Sequence, residues 1–214
     1  MNRYKLPTGI YGMTGEQFSL GRSNIDVVQD MISAGICIIQ YREKRHKKKY
    51  SDIYAECRAI RQITKKHGVT FIVNDYIDIA LLVDADGVHV GQEDLPVPAV
   101  RELLGPDKII GLSTHSPEQC DAASRLGADY IGVGPIYATQ TKEDVCAAVG
   151  LEYLDYAVAH SALPLVAIGG IKEHNISDVV RHGATTLCLV TEIVGSPDIG
   201  AMVKRLTQAI PGNG

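Results

Sequence analysis

The sequence contains no tryptophan and two phenylalanines among its 214 residues. Aromatic side chains form the stacking surfaces on which proteins hold nucleic-acid bases. The formal net charge of −4 also gives the chain no general attraction for a polyanion. We therefore expect no nucleic-acid partner, and any anion-binding site has to be formed by local groups.

Long hydrophobic runs are also absent. The longest apolar stretches, residues 163–168 and 187–190, are far shorter than the ~20 residues that a membrane-spanning helix needs. Residues 1–7 show no apolar run after their charges, as a secretory signal would. These features predict neither a membrane span nor a secretory signal.

The five cysteines are scattered, and no two of them form a Cys-x-x-Cys pair. This pattern argues against a disulfide framework or a zinc site and favours a reducing, cytoplasmic location. We interpret the cysteines as apolar filling residues. Cys146 stands apart because it lies in a polar stretch near Lys142.

No linker or low-complexity segment divides the chain, which predicts a single domain over residues 1–214. Short β-rich runs alternate with amphipathic runs about every 25 residues, as expected of βα units. The predicted strands cover residues 9–14, 37–41, 70–74, 87–90, 108–113, 130–133, 165–169 and 186–190. Eight such units favour an α/β fold of the closed (β/α)8 TIM-barrel type. The alternative is an open doubly wound sheet, whose usual glycine-rich fingerprint is missing after the first strand.

In a barrel of this type the active site lies where the strands lead into the helices. Polar residues collect at these points. At the end of the second predicted strand, side chains alternate, so Gln40, Arg42 and Lys44 point to one face. An arginine and a lysine on one face are suited to holding phosphate.

Carboxylates follow the third and fourth predicted strands. Asp75 comes directly after Asn74, and Asp94 ends the segment 86–94. Two carboxylates at neighbouring strand ends can share Mg²⁺ together with water and a substrate phosphate. The alternative is that one of them caps the following helix.

The fifth and sixth predicted strands lead into further polar residues. Ser113 and Thr114 alone read as a helix cap, whereas Thr139, Thr141 and Lys142 can hold a second anion. The segment 139–150 is the longest interruption of the pattern and is our candidate for a lid. We interpret His89 and His115, also near strand ends, as structural residues.

The last two predicted strands end at Gly169-Gly170 and at Val190-Thr191-Glu192. The loops after these strands form the recurrent phosphate site of this fold, in which backbone N–H groups contact the ligand. The sequence thus predicts two anion sites, one cationic and metal-assisted and one formed by backbone amides.

Taken in order, these segments resemble the thiamine-phosphate synthase family over nearly the whole chain. The resemblance rests on Gln-x-Arg-x-Lys at 40–44, Asn-Asp at 74–75, Asp-Gly-Val-His-Val-Gly-Gln-Glu-Asp at 86–94, Ser-Thr-His at 113–115, Gly-Pro-Ile-Tyr at 134–137, Thr-x-Thr-Lys at 139–142 and Ile-Gly-Gly-Ile at 168–171.

The resemblance implies a Mg²⁺-dependent transferase that joins hydroxymethylpyrimidine diphosphate to thiazole phosphate, through a pyrimidine cation, and releases diphosphate. By position, Asp75 and Asp94 would hold the metal, and Gln40 would help hold the pyrimidine. Diphosphate would be bound by Arg42, Lys44, Asn74, Ser113 and Lys142. The thiazole phosphate would be bound by Thr139, Thr141 and the backbone around Gly169, Gly170, Val190 and Thr191.

Three positions depart from the family pattern. Tyr76 replaces an arginine, Ala138 replaces a proline, and Thr191-Glu192 replaces Ser-Ala. Glu192 brings a negative charge near the phosphate loop, so either it points outward or that loop binds through its backbone alone. Two other functions remain as alternatives: a thiazole tautomerase on the same barrel, and a non-catalytic phosphate-binding regulatory relative.

Overall fold

The computed structural model describes residues 4–139 and 147–210. All strands of the described residues are parallel and belong to one sheet with the order β1-β9-β8-β7-β6-β5-β4-β3-β2. The strands are β1 (Gly9–Ile10), β2 (Gly12–Met13), β3 (Ile38–Tyr41), β4 (Thr70–Asn74), β5 (Gly87–Val90), β6 (Ile109–Thr114), β7 (Tyr130–Val133), β8 (Leu165–Ile168) and β9 (Thr186–Cys188).

The short segment that holds β1 and β2 closes this sheet into a barrel. Gly9 pairs with Thr186 of β9, whereas Gly12 pairs with Ile39 of β3. Between them, the Tyr11 backbone N–H donates to the Leu187 carbonyl over 2.9 Å. One stretch of chain therefore satisfies both edges of the sheet, which confirms the barrel and excludes the open sheet.

Helices connect the strands on the outside. They are α1 (Asn24–Ser33), α2 (Tyr50–His67), α3 (Ile77–Leu82), α4 (Val97–Leu104), α5 (Pro117–Leu126), α6 (Gly150–His160), α7 (Ile176–Arg181), α8 (Val190–Val194) and α9 (Ile199–Gln208), with a 3-10 helix at Glu16–Phe18. None of the helices in the described part of the chain is long and apolar enough to cross a membrane.

The alternation of side chains along the strands produces two apolar layers. Ile39 and Tyr41 of β3 point outward and pack in the layer between strands and helices. Ile38 points inward and belongs to a smaller cluster with Tyr11 and Tyr130 inside the barrel. The next inward position on β3 is Gln40, so a polar side chain follows directly on the apolar barrel interior.

The eight predicted strands are confirmed, with ends that differ by at most two residues. The first is interrupted at Tyr11, where the pairing changes from β9 to β3. The last ends at Cys188 and not at Val190, because Val190 already begins helix α8.

Candidate active site

A cavity of about 550 Å³ lies where the strands lead into the helices. The sequence predictions that fall among the described residues all line it: Gln40, Arg42, Lys44, Asn74, Asp75, Asp94, Ser113, Thr139, Gly169, Gly170, Val190 and Thr191. Thr141, Lys142, Cys146 and most of the predicted lid lie outside the described residues. The barrel thus brings together side chains that are far apart in sequence.

The segment that follows strand β3 supplies the cationic side of the cavity. The Arg42 backbone N–H donates to Thr14 Oγ1 over 2.8 Å, which holds the chain as it leaves the strand. No described residue forms a hydrogen bond or an ion pair with the half-buried Arg42 guanidinium. This arginine therefore presents its charge to the cavity, in agreement with a role in binding an anion.

Lys44 lies opposite a carboxylate of the neighbouring strand. Its Nζ is 2.9 Å from Asp75 Oδ2. Burial raises the pKa of the Asp75 carboxyl group above its ordinary value, Lys44 opposes this change, and the nearby Asp94 carboxylate adds to it. Two carboxylates and a lysine thus share one small volume.

Neither aspartate caps the helix that follows it. Helix α3 begins after Tyr76 and α4 after Pro96, both without a side-chain cap. Asp94 Oδ2 instead accepts the Gly91 backbone N–H over 2.7 Å. The helix-cap alternative is therefore wrong for both residues, and Asp75 and Asp94 are available as ligands.

This pair has the chemistry of a magnesium site. Carboxylate oxygens are hard donors, and Mg²⁺ commonly takes one or two of them and completes its coordination with water and substrate phosphate. The described residues contain no group of three or more histidine, cysteine, aspartate or glutamate side chains placed to hold a metal. A cation bound by Asp75 and Asp94 would therefore take its further oxygen atoms from water and from a phosphorylated ligand.

A chain of buried hydrogen bonds crosses the barrel interior. Gln40 Nε2 donates to the Tyr11 hydroxyl over 3.0 Å, and the Tyr11 and Tyr130 hydroxyls are 2.8 Å apart. His89 then connects Tyr130 to Ser113, with distances of 3.0 Å at Nδ1 and 2.9 Å at Nε2. Among the described residues, no group hydrogen-bonds to the buried Gln40 Oε1 atom, so a bound ligand is the natural partner for this oxygen.

The sequence analysis missed Tyr11 and Tyr130 and interpreted His89 only as structural. The alternation of side chains along β1 and β2 places Tyr11 on the same face as Met13, so its inward position could be predicted from the sequence. Its hydrogen-bond partner could not be predicted, because Tyr11 and Tyr130 are 119 residues apart and meet only when the barrel closes.

The loop after β8 makes a turn that requires glycine. Gly169 and Gly170 have φ angles of +96° and +65°. A Cβ atom on Gly169 would lie 2.4 Å from Pro135 Cβ, and one on Gly170 would lie 2.7 Å from the Ala138 carbonyl oxygen. Close packing of this loop against the segment after β7 thus leaves backbone, not side chains, facing the cavity.

Two of the three departures from the family pattern acquire a structural account. The Tyr76 hydroxyl donates to the Glu43 carbonyl over 3.0 Å, so it supports the segment between Arg42 and Lys44. Glu192 does not line the cavity, and its Oε1 lies 3.0 Å from Lys172 Nζ. Glu192 therefore points away from the cavity, which favours an outward-pointing Glu192 over a loop that binds through its backbone alone. Ala138 contributes the carbonyl that packs against Gly170.

His115 lines the cavity, and its Nδ1 donates to the Gly134 carbonyl over 2.5 Å. Ser113 and Thr114 do not cap a helix. Ser113 bonds to His89, the Thr114 hydroxyl donates to the Gly132 carbonyl over 3.0 Å, and Ser116 caps α5.

Comparison with known proteins identifies a matching family model, similar sequences and a similar solved structure. The family model described as thiamine monophosphate synthase matches residues 10–193. A thiamine-phosphate synthase of Pelotomaculum thermopropionicum is 60% identical over 205 residues, which are 96% of this chain and 93% of that protein. One of Lawsonia intracellularis is 53% identical and covers 96% of this chain and 94% of its own. The solved structure of a thiamine phosphate pyrophosphorylase from Pyrococcus furiosus superimposes with a TM-score of 0.86 and 30% identity, covering 96% of both chains.

Proposed function

The chain belongs to the thiamine monophosphate synthase family and is a transferase of thiamine biosynthesis, and we propose that its cavity joins hydroxymethylpyrimidine diphosphate to thiazole phosphate with Mg²⁺. The products are thiamine phosphate and diphosphate. We extend the proposal to residues 1–214 as one catalytic domain that acts on small phosphorylated molecules in the cytoplasm.

The reaction requires charge stabilisation more than proton transfer. The bond between the pyrimidine CH2 group and the diphosphate oxygen breaks, and the electron pair leaves with diphosphate. The aminopyrimidine ring spreads the positive charge that remains on the CH2 carbon. The thiazole nitrogen then donates its lone pair to this carbon, and the new C–N bond leaves the positive charge on the thiazolium ring.

Such a reaction fits the charges around the cavity. Arg42 and Lys44 line it from the segment after β3 and would bind the developing diphosphate together with Asn74, Ser113 and Lys142. Fixed cations and hydrogen-bond donors that face a leaving group in a partly enclosed site stabilise the transition state without reorganising. The sequence pattern assigns Lys142 here, although this residue lies outside the described residues.

Asp75 and Asp94 would hold the metal, as their oxygen donors and close placement favour. When bound, Mg²⁺ would neutralise part of the negative charge on the diphosphate. Lys44, which pairs with Asp75 and also lines the cavity, would adjoin this metal–diphosphate group.

Gln40 would hold the pyrimidine. Its Oε1, to which no described residue hydrogen-bonds, can accept an N–H of the amino group of the ring, and the hydrogen bond to Tyr11 fixes the orientation of the amide. Gln40 precedes Arg42 along β3, so the ring would lie deeper in the barrel than its diphosphate. Thr139, Thr141 and the backbone at Gly169, Gly170, Val190 and Thr191 would bind the thiazole phosphate at the other side.

The observation that carries this proposal is the arrangement along and after β3: a buried amide oxygen to which no described residue hydrogen-bonds, followed by two cations, of which Lys44 pairs with Asp75 beside Asp94. It provides a site for a polar ring next to a site for a metal–diphosphate group. Isomerisation of a thiazole, or the binding of a phosphate alone, does not require a site for a metal–diphosphate group.

The test is an incubation of the purified protein with both substrates and Mg²⁺, with quantification of thiamine phosphate and diphosphate. We expect equal amounts of both products, and no product when either substrate or the metal is omitted. Binding of thiazole phosphate without any product from the complete mixture would contradict the proposal and favour one of the two alternatives.

A further inference from the structure

A lysine that the family pattern did not single out lies at the phosphate-loop side of the cavity. Lys172 follows β8 and lines the same cavity as Gly169, Gly170 and Thr191. Its Nζ donates to Thr191 Oγ1 over 2.6 Å and lies 3.0 Å from Glu192 Oε1. Four strands separate β8 from β3 on one side of the barrel, so Lys172 lies across the cavity from Arg42 and Lys44.

The backbone around this lysine is held in place. The Lys172 N–H donates to Asn175 Oδ1 over 2.7 Å, and Asn175 Nδ2 donates back to the Gly170 carbonyl over 3.2 Å. The Glu192 carboxylate is fixed in turn, because its Oε2 accepts the Glu173 backbone N–H over 3.1 Å. The ammonium group is therefore oriented before a ligand arrives.

The ammonium group retains the capacity to bind an anion. A lysine has three N–H donors, of which one donates to Thr191 and a second can serve Glu192. No described residue accepts the third. The Lys172 side chain is 34% exposed, and an ion pair with this much contact with solvent adds little to stability, typically up to about 1 kcal/mol. The stability of the folded protein therefore gives only a weak reason for placing Lys172 beside Glu192.

We propose that Lys172 binds the phosphate monoester of the thiazole substrate and determines the preference of the enzyme for the phosphorylated thiazole. This inference rests on the proposed function and deepens it at the second anion site. Glu192 acts as a positioning residue that holds the ammonium group beside Thr191. Glu192, which departs from the family pattern, and Lys172 thus form one ion pair, whose combined charge is zero without a ligand.

The test compares thiazole phosphate with the unphosphorylated thiazole alcohol. We would measure kcat/KM for both acceptors in the wild type, Lys172→Met, Lys172→Arg and, as a control, the exposed helix α9 variant Lys204→Met. For Lys172→Met we expect the ratio of the two values to fall roughly 10-fold or more, the range for a lost hydrogen bond to a charged group. KM for the pyrimidine diphosphate should stay unchanged. Lys172→Arg should retain most of the preference, and Lys204→Met all of it.

A second readout does not depend on turnover. Calorimetric titration of each variant with thiazole phosphate alone should show a Kd about 10-fold weaker for Lys172→Met. Equal losses with both acceptors, together with an unchanged Kd, would overturn the proposal and leave Lys172 a structural role. If the wild type made no thiamine phosphate, the proposed function would fail, and the titration would still decide whether Lys172 binds the phosphate.

Discussion

The phenolic oxygen of Tyr130 lies 3.0 Å from Nδ1 of His89, in the centre of a hydrogen-bond chain that runs from Gln40 to Ser113. Because Gln40 donates to Tyr11, one direction of donation uses every group: Tyr11 to Tyr130, Tyr130 to His89 Nδ1, and His89 Nε2–H to Ser113. The Ser113 proton is then directed away from the histidine. The chain thus sets Gln40 as an acceptor and Ser113 as a donor, which suits an amino group and a diphosphate.

Replacing Tyr130 with phenylalanine should interrupt this chain. Tyr11 and His89 would each lose a buried partner, at a cost of about 1–3 kcal/mol. We expect kcat/KM for the pyrimidine diphosphate to fall about 10-fold, measured by steady-state kinetics. The ¹⁵N shifts of His89 should also show loss of the Nε2–H tautomer as the single form.

Tyr4→Phe is the matched control for that variant. The Tyr4 ring lies 6.3 Å from the Tyr130 ring in the same cluster, but none of the four hydrogen bonds described above involves its hydroxyl. We expect near wild-type kinetics for Tyr4→Phe. Equal behaviour of the two variants would remove the hydrogen-bond chain from the account of substrate binding.

Asp75→Asn tests the metal site. The variant removes a negative charge that faces Lys44 and lies close to Asp94. We expect turnover to fall by about 10² or more, as loss of transition-state charge stabilisation typically does. Asp78→Asn is a suitable control, since Asp78 accepts from the Tyr50 hydroxyl outside the cavity. Near-normal turnover of Asp75→Asn at saturating Mg²⁺ would show that Asp75 is not a metal ligand.

Lys142→Ala addresses a residue known here only from the sequence pattern. If Lys142 stabilises the leaving diphosphate, the variant should slow bond cleavage while thiazole phosphate still binds with a normal Kd. A single-turnover experiment separates the two steps. An unchanged single-turnover rate would argue against this role.

Gly170→Ala tests the phosphate loop. The added Cβ atom would lie 2.7 Å from the Ala138 carbonyl oxygen at a φ angle of +65°, so the loop has to move. A displacement of this kind can cost up to about 10² in rate, and we expect KM for thiazole phosphate to rise about 10-fold.

Gly21→Ala provides the control for backbone strain alone. Gly21 has a φ angle of +83°, and a Cβ atom there would meet nothing within 4 Å. Gly21→Ala should lose about 1–2 kcal/mol of stability and Gly170→Ala at least as much, but only Gly170→Ala should change KM. A normal KM for Gly170→Ala would contradict a phosphate site at this loop.

Glu43→Gln tests a buried carboxylate beside the cationic strand end. Burial raises the pKa of Glu43 above its ordinary value of 4.5, although the Glu16 backbone N–H opposes this. The stabilising contribution of Glu43 is therefore complete below pH 4.5 and is lost as the pH rises through the raised pKa. Relative to the wild type, Glu43→Gln should become more stable across this window, as measured by denaturant unfolding between pH 4 and 8.

Glu56→Gln should show the opposite dependence. Burial alone would raise the pKa of Glu56, but hydrogen bonds from Lys48 and Tyr41 outweigh it and lower the pKa. Its contribution is present above pH 4.5 and is lost as the pH falls. Parallel curves for the two variants would be inconsistent with these assignments.

Much of the fold could be predicted because the strands of a parallel barrel are short, buried apolar runs between glycines and polar loops. Strands β4, β5 and β7 have the predicted ends. The interruption of the first predicted strand at Tyr11 and the end of the last one before Val190 could not be predicted from the local sequence. Pairing on two different strands interrupts the first, and the start of helix α8 ends the last.

The sequence by itself determined that the polar residues at the strand ends face the cavity, because the period of two in a strand and the rule that strand ends form the site need no distant partner. Gln40, Arg42 and Lys44 are examples. Only the tertiary structure decided which groups meet across the barrel. Tyr130 reaches Tyr11 and Lys172 reaches Glu192 because barrel closure and loop packing join segments that no local pattern relates. Hydrogen bonds and ion pairs depend on distances of about 3 Å, and such distances are set by the packing of the whole chain.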